Sequence, residues 1–301
     1  MSAAVRYRIR HETAYAYGGN VMHSRQLLHL TPRSAPWQTC LAHGIELDPL
    51  PASRRDEPDA FGNTVTRLEF DRPHERLAVV ATMEVEIKAR PELDPGSTEP
   101  WERVRDELSY TGRPLAPRKL EVVRYRMQSP YVRVKHAFER YAQACFPAGQ
   151  PILVGAELLM RKLHADLTYA PGETGIATPL MRIFETRRGV CQDYAHLMIA
   201  CLRSFGLAAR YVSGYLRTLP AAGATALVGA DASHAWVAVY CPPLGWVELD
   251  PTNGIRAGLD HVALAWGRDF GDVSPLRGVI VGGGAHQPSV RVTVEPIASL
   301  S

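Results

Sequence analysis

The sequence has few cysteines and no paired cysteine motif. Its five cysteines are scattered over 301 residues, and no two of them are spaced as Cys-x-x-Cys. A disulfide framework or a structural zinc site normally needs an even set of cysteines at short, regular spacings. We therefore expect reduced thiols, which favours a cytoplasmic protein, and we predict neither a metal nor any other cofactor.

A long apolar run and an excess of charge of one sign are also missing. No segment approaches the ~18 consecutive apolar residues of a membrane span, and Arg6, Arg8 and Arg10 interrupt the region where a signal peptide would be apolar. The 34 Lys and Arg residues nearly balance the 31 Asp and Glu residues, for a formal net charge of +3. This composition argues against a membrane or a nucleic-acid partner.

Strand-like alternation is typical of the first 90 residues. Apolar or aromatic side chains alternate with charged ones over Val5–Glu12 and again over Met83–Lys88, which indicates half-buried strands. Shorter strand candidates occupy Leu41–Leu47 and Val65–Phe70. We predict an antiparallel β domain over residues 1–90. A connecting arm over residues 91–130 follows, because prolines interrupt both helix and central strand there; they are Pro91, Pro95, Pro100, Pro114, Pro117 and Pro130.

Helical periodicity begins after the arm, and strands follow it. Apolar stripes at helical spacing lie in residues 130–146, 152–167, 178–187 and 189–205, and the last stripe stops at Gly206. Strand patterns then cover Arg210–Leu216, His234–Cys241 and Trp246–Asp250, with two more near Val279–Val281 and Val290–Val294. We predict a catalytic domain over residues 131–301 that includes these C-terminal strands. The fold class is α+β.

Cys191 is placed where a thiol becomes reactive. It lies in the first turn of a predicted helix, where unpaired backbone N–H groups and the helix dipole favour an anion, and so favour the nucleophilic thiolate. The same N–H groups can bind the oxyanion of a tetrahedral intermediate. Cys201 falls mid-helix in the apolar stripe, so we expect it to be an inert core thiol.

His234 and Asp250 are the expected partners of Cys191. His234 begins one predicted strand and Asp250 ends the next. If the turn between these strands has an odd number of residues, the two side chains share a face as diagonal neighbours. Asp250 would then orient the imidazole while His234 pairs with the thiolate. An even turn without a bulge would place them on opposite faces.

Other polar residues near these three receive lesser roles. Asp193 is in the first helical turn, where a carboxylate stabilises the helix start, and we do not expect it to be a base. His196, five residues beyond Cys191, points away from it on a helix. Tyr169 is a candidate for contact with the oxyanion, although a packed aromatic is the stronger interpretation. Gln192 and Trp236 are further candidates for the oxyanion site or the cleft.

Three blocks of sequence together resemble the bacterial transglutaminase-like superfamily, whose members are often described as cysteine proteases. The blocks are Gly189–Leu197, Asp231–Trp236 and Gly245–Asn253, in the family order Cys, His, Asp. Residues 7–15, the Phe61-Gly62-Asn63 turn and residues 272–278 are similar to the family's flanking regions. The resemblance implies a papain-like core, with a catalytic helix packed on an antiparallel sheet, and the triad Cys191, His234 and Asp250. Gln192 replaces the tryptophan of animal transglutaminases, and no acidic cluster suggests their calcium.

These observations lead to one preferred function and two alternatives. We expect a cysteine-dependent hydrolase that cleaves an amide, peptide or isopeptide bond through a thioester, acting on a peptide or protein-derived amide. A transglutaminase-type acyltransferase would pass the same acyl group to an amine. A non-catalytic binding module would keep the fold without the chemistry, although no member of the triad is missing.

Overall fold

Two antiparallel sheets and a set of short helices make up the chain. The computed structural model describes residues 3–110, 112, 117–217 and 233–297. Pro114 of the arm and Asp231-Ala232 of the histidine block lie outside these residues. The strands are β1 Ala4–Leu28, β2 Gln38–Asp48, β3 Ser53–Pro58, β4 Thr64–Phe70, β5 His74–Lys88, β6 Thr168–Tyr169, β7 Arg188–Gly189, β8 Ala209–Leu216, β9 Ser233–Cys241, β10 Gly245–Asp250, β11 Ile255–Arg256, β12 His261–Gly267, β13 Leu276–Gly282 and β14 His286–Ile297.

Most of the described helices lie between β5 and β8 along the sequence, and one short helix lies between β12 and β13. They are α1 Trp101–Glu107, α2 Pro117–Val123, α3 His136–Ala142, α4 Ile152–Asp166, α5 Leu180–Thr186, α6 Cys191–Ser204 and α7 Phe270–Val273, with 3-10 turns at Pro95–Ser97, Arg124–Arg126 and Gln143–Cys145. None of the helices in the described residues has the length and apolarity needed to cross a membrane.

The first sheet is built around the long strand β1. Its core order is β2-β5-β1-β4-β3, and the alternation expected over Val5–Glu12 is present. Tyr7 and Ile9 are fully buried, while Arg6 and Arg8 face outward and pair with Glu86 and Glu84 on β5. The α+β fold class and the early antiparallel strands are therefore confirmed. The length of β1 was not predicted, because the apolar alternation weakens after His11.

The C-terminal strands differ from the predicted division of the chain. They were assigned with residues 131–301, yet β13 and β14 both pair antiparallel with β1 in the first sheet. The register runs from Arg6 opposite Ile297 to Tyr17 opposite His286. Strand pairing between residues this far apart depends on tertiary structure, and the alternation of residues 290–294 is compatible with either sheet. These two C-terminal strands thus belong to the N-terminal sheet.

The second sheet carries the predicted catalytic elements. Its order is β11-β10-β9-β8-β12, and helix α6 packs on one face. The packed face of β9 contributes Ala235, Val237 and Val239, all buried in the main core. The opposite face carries His234, Trp236 and Glu248, also buried. Because both faces are covered, the sheet holds polar side chains inside the molecule, where each must find a partner.

The proline-rich arm packs against both neighbours instead of hanging free. Glu99 donates its backbone N–H to Pro242 at 3.0 Å, and Ile152 N–H donates to Glu99. Trp101 on α1 meets Phe205 edge-on, with ring centroids 5.4 Å apart. The prolines break the segment into short helices, as expected, but its aromatic side chains join the core.

Two side-chain amides connect the first sheet to the free edge of β12. Gln38 donates to Ala263 O at 2.7 Å and accepts from Ala263 N–H at 2.8 Å. Asn63 donates to Trp266 O and accepts from Trp266 N–H, both at 2.9 Å. Each side-chain amide thus makes the pair of hydrogen bonds that a residue of a neighbouring strand would make. Since β12 is an edge strand, these contacts satisfy backbone groups that burial would otherwise leave unpaired.

We expect Asn63→Ala to lower the free energy of unfolding by roughly 2–4 kcal/mol, because it leaves two partly buried backbone groups of Trp266 without their amide partner. Chemical denaturation of the purified protein measures this change. The matched control is Arg67→Ala, whose ion pair with Glu57 is exposed and should contribute less than about 1 kcal/mol. Equal stability of the two variants would contradict the proposed role of Asn63.

Candidate active site

Helix α6 begins with Cys191 as its first residue. Val190 precedes it in an extended conformation, and Asp193 accepts a hydrogen bond from Val190 N–H at 2.9 Å. Thr174 donates to the same carboxylate oxygen at 2.7 Å. The N–H groups at the start of a helix have no acceptor within the helix, so the backbone of Cys191 and Gln192 provides donors beside the thiol.

Asp193 stabilises the helix start, as the sequence predicted. Burial raises the pKa of its carboxyl, against the lowering effect of the Val190 and Thr174 hydrogen bonds. Both contacts fix the chain that leads into Cys191. Gly189 is part of the same arrangement, since a Cβ there would lie 2.8 Å from the Asp193 side chain.

His234 and Asp250 meet as the odd-turn prediction required. The turn between β9 and β10 consists of Pro242, Pro243 and Leu244, because Cys241 pairs with Gly245 and Tyr240 with Trp246. This odd number puts His234 and Asp250 on one face as diagonal neighbours. The Nε2 atom of His234 lies 2.9 Å from Oδ2 of Asp250, and both side chains are fully buried.

The Asp250 carboxylate is held by hydrogen bonds to both oxygens. Oδ1 accepts from the backbone N–H groups of Thr252 at 3.0 Å and Asn253 at 3.3 Å. Oδ2 accepts from the side chain of Asn253 at 2.7 Å and contacts the His234 and His261 rings. Burial alone would raise the pKa of Asp250, but the two histidines hold it well below its usual range. Asp250 therefore remains an anion.

The same contacts favour the charged form of His234. Burial alone would lower its pKa, but the charge and hydrogen bond of Asp250, together with the side chain of Cys191, raise it to about 10. Because Nε2 is directed at Asp250, the nitrogen available to Cys191 is Nδ1. That atom is buried and has no hydrogen-bond partner of its own among the described residues.

The cysteines differ in burial, and Cys191 and Cys201 do so as their sequence positions predicted. All five are free thiols, and Cys191 is half-buried, whereas Cys145, Cys201 and Cys241 are buried. Burial raises the pKa of Cys201 and Cys241 well above the usual range, so both are inert core thiols, in keeping with the interpretation of Cys201. Cys40 is half-buried on β2, far in sequence from the site, and burial also raises its pKa.

His196 is not positioned to act as a base. Its Nε2 atom accepts a hydrogen bond from Phe270 N–H at 3.1 Å, and its ring stacks on Tyr131 with centroids 5.8 Å apart. Burial lowers its pKa to about 3. The position of His196 in the core therefore agrees with the prediction that it is not the base.

Trp236 lies behind the histidine and does not line an open cleft. It is completely buried, its ring stacks on His234 at 6.0 Å between centroids, and its indole N–H donates to Glu248 at 2.8 Å. Glu248 in turn pairs with Arg90 at 3.0 Å. The suggestion of a cleft position is therefore wrong: a residue two positions along the strand from His234 shares its face and packs beneath it.

Tyr169 and Gln192 both lie beside the start of α6. Tyr169 is paired with Gly189 through the short parallel strands β6 and β7, and Ala170 N–H donates to Gly189 O at 2.9 Å. Both side chains are half-buried. A role for either one in binding the oxyanion remains a prediction.

Two residues of this region were missed in the sequence. His261 on β12 places its Nε2 atom 3.2 Å from Oδ2 of Asp250. Tyr211 on β8 is buried beside Cys191, since burial and then the charge of Cys191 raise its pKa well above the usual value. A histidine at the head of the apolar strand His261–Gly267 was the available signal for the first. Tyr211 gave none, because buried tyrosines are common in strands.

The family assignment follows from two matches to protein families. Residues 7–86 match the bacterial transglutaminase-like N-terminal region, and residues 141–251 match the transglutaminase-like superfamily. The chain therefore belongs to the transglutaminase-like superfamily of the bacterial type, which confirms the resemblance drawn from the three sequence blocks. Members of this superfamily are usually enzymes.

Individual relatives agree with this assignment. An uncharacterised protein of Mycobacterium tuberculosis is 35% identical over 290 residues, covering 93% of this chain and 89% of its own. A protein-glutamine gamma-glutamyltransferase of Pseudomonas aeruginosa is 37% identical over 139 residues, which cover 42% of this chain and 21% of that protein. The crystal structure of a provisionally assigned cysteine protease from Cytophaga hutchinsonii has the same fold, with a TM-score of 0.75 and 17% identity over 99% of this chain and 92% of that one.

Proposed function

We propose that this protein is a cysteine-dependent hydrolase of peptide or isopeptide bonds that acts through a thioester on Cys191. The observation that carries the proposal is the buried His234, which is bonded to Asp250 through Nε2, whose buried Nδ1 is left without a partner among the described residues, and whose pKa is raised by the side chain of Cys191 as well as by Asp250. A histidine kept protonated beside a cysteine at a helix start stabilises the thiolate. Membership of the transglutaminase-like superfamily is consistent with this chemistry.

The first half of the reaction would acylate the enzyme. The Cys191 sulfur attacks the carbonyl carbon, and the π electrons move to the oxygen, where N–H groups at the start of α6 stabilise the negative charge. The C–N bond then breaks as the carbonyl re-forms. The leaving nitrogen takes the proton from Nδ1 of His234, which leaves a thioester and a neutral imidazole.

The second half would release the acid. Neutral His234 removes a proton from water through Nδ1, and the oxygen attacks the thioester carbon. When the C–S bond breaks, the product is a carboxylic acid and Cys191 returns as a thiolate beside protonated His234. Asp250 remains an anion throughout and keeps the ring in the orientation that presents Nδ1 to the sulfur.

The second candidate function is acyl transfer to an amine. The local similarity to the Pseudomonas aeruginosa gamma-glutamyltransferase, over 139 residues, favours it. Both reactions share the thioester, and they differ only in whether water or an amine attacks it. The shape of the acceptor side of the site decides between them.

An activated ester tests both candidates without knowledge of the natural substrate. With p-nitrophenyl acetate, we expect a burst of one equivalent of nitrophenol and an acetyl group on Cys191 by mass spectrometry, because a nucleophilic thiol forms a thioester. Adding glycinamide should leave the products as acetate and enzyme if the protein is a hydrolase. Formation of acetylglycinamide in proportion to the amine would favour the transferase.

The control for this experiment is Cys191→Ser. The variant should show neither the burst nor the acetylated peptide, while Cys40→Ser should behave like the wild type. Absence of any acylation of Cys191 in folded wild-type protein would contradict both catalytic candidates and favour the non-catalytic binding module.

A further inference from the structure

One oxygen of Asp250 is shared by two histidines. Oδ2 lies 2.9 Å from Nε2 of His234 and 3.2 Å from Nε2 of His261. The rings are 6.4 Å apart between centroids and inclined by 59°, and both residues are only 2% exposed. His234 enters from β9 and His261 from β12, at opposite sides of β8 in the sheet. The carboxylate is thus held from two different strands.

The backbone fixes the tautomer of His261. Gly258 N–H lies 3.3 Å from its Nδ1 atom and donates to it, so Nδ1 must present a lone pair and the ring proton resides on Nε2. His261 therefore donates its proton to Asp250, as His234 does. These two ring N–H donors, together with the Asn253 amide 2.7 Å from the same oxygen, restrict rotation of the carboxylate about its side-chain bonds.

A tryptophan keeps both rings in place. Trp236 stacks on His234 and meets His261 edge-on, with centroids 5.3 Å apart. Its own indole N–H is bonded to Glu248, so the indole cannot turn without losing a buried hydrogen bond. The relative placement of the two histidines is consequently fixed by packing as well as by Asp250.

We propose that His261 is a positioning residue for the reaction: it holds the Asp250 oxygen at the point from which that oxygen directs His234 toward Cys191. The proposal rests on the proposed cysteine chemistry. Without the His261 donor, Oδ2 keeps its contacts with His234 and the Asn253 amide but loses the one from β12, so the carboxylate gains freedom and the Nδ1 atom of His234 loses its fixed direction. A small misplacement of a catalytic group reduces the rate of reaction strongly, even when substrate binding is unchanged.

Two substitutions separate positioning from bulk packing. His261→Gln keeps an N–H donor that can reach Asp250, whereas His261→Leu keeps volume and loses the donor. In the p-nitrophenyl acetate burst, we expect His261→Leu to lower the acylation rate constant at saturation by roughly tenfold or more, with little change in the half-saturating concentration. His261→Gln should restore the rate to within about threefold of the wild type.

Proton NMR supplies a readout that does not depend on turnover. The wild type should show two slowly exchanging, far-downfield imidazole N–H resonances, one from His234 and one from His261, since both donate to a buried carboxylate. His261→Leu and His261→Gln should each lose one signal, and the remaining His234 signal should move more in His261→Leu. If His261→Leu does not fold, the rate and resonance of His261→Gln decide alone.

The outcomes distinguish failure of this proposal from failure of the proposed function. A folded His261→Leu variant that acylates at the wild-type rate overturns the positioning role. A folded His261→Gln variant that is slowed tenfold, or whose His234 resonance disappears, also overturns it, because the donor was retained. If wild-type Cys191 is not acylated at all, the proposed function fails, whereas two wild-type imidazole resonances would still establish the shared Asp250 contact.

Discussion

Replacing His234 by alanine is expected to slow the alkylation of Cys191 by iodoacetamide at neutral pH by at least about tenfold. An ordinary thiol is only a few per cent ionised at that pH, so a neighbouring imidazolium that stabilises the thiolate gives a large gain in reactive species. His234 can supply this charge because its pKa is raised to about 10, with Asp250 and Cys191 acting against the effect of burial. Quantitative mass spectrometry of the labelled peptide measures the rate.

The chain provides its own internal reference for this measurement. Cys40 is half-buried like Cys191, but its thiol donates to Ala42 O and contacts no histidine in the described part of the chain, so it should react slowly and equally in the wild type and in His234→Ala. The three buried thiols should remain unlabelled until the protein unfolds. Labelling of Cys191 at the rate of Cys40 in the native wild type would refute the activated-thiol interpretation.

Changing Asp250 to asparagine is expected to lower kcat/KM by roughly a thousandfold or more. In a Ser-His-Asp enzyme the same carboxylate-to-amide change costs about 10⁴ in kcat, because the amide favours the wrong tautomer of the histidine. Here the neutral amide would also leave the buried imidazolium without its counter-charge. Steady-state kinetics on an ester or amide substrate, together with the nitrophenol burst, give the size of the effect.

The pH dependence of kcat/KM gives a second measure of the effect of Asp250→Asn. His234 has a pKa raised above its ordinary value of 6.5 to about 10, so its contribution to stability and to thiolate formation is complete below pH 6.5. That contribution is lost as the pH rises through about 10. In Asp250→Asn, the negative charge that opposes the effect of burial on the pKa of His234 is missing. This pKa should therefore be lower, and the contribution should be lost at a lower pH. Asp106→Asn, which changes an exposed carboxylate on α1, is the control, and an unchanged alkaline limb of the kcat/KM profile in Asp250→Asn would contradict the role of Asp250.

Several parts of the site could be predicted because they depend on local chemistry. The apolar stripe from Tyr194 onward and the stop at Gly206 define the helix, and they place Cys191 at its start. The short turn after Cys241 sets the pairing of two consecutive strands, and its parity alone brings His234 and Asp250 to one face. The roles of Asp193 and His196 followed from helical geometry for the same reason.

Other parts depended on contacts between distant segments. The residues around His261 give no sequence signal for its contact with Asp250, because β12 joins the sheet on the far side of β8. The pairing of β14 with β1 joins the two ends of the described chain, and the pattern of either strand fits many partners. Trp236 was misjudged since the same alternation that places it on the face of His234 does not say whether that face is open or covered.

The sequence by itself determined the family, the α+β fold class, and the three residues on which the proposed reaction depends. These features follow from helix caps, strand alternation and turn length, all of which act over a few neighbouring residues. Only the tertiary structure decided which strands share a sheet, that Gln38 and Asn63 complete the edge of β12, and that a second histidine holds Asp250. Each of those depends on which segments meet across the fold, where burial forces every polar group to find a partner.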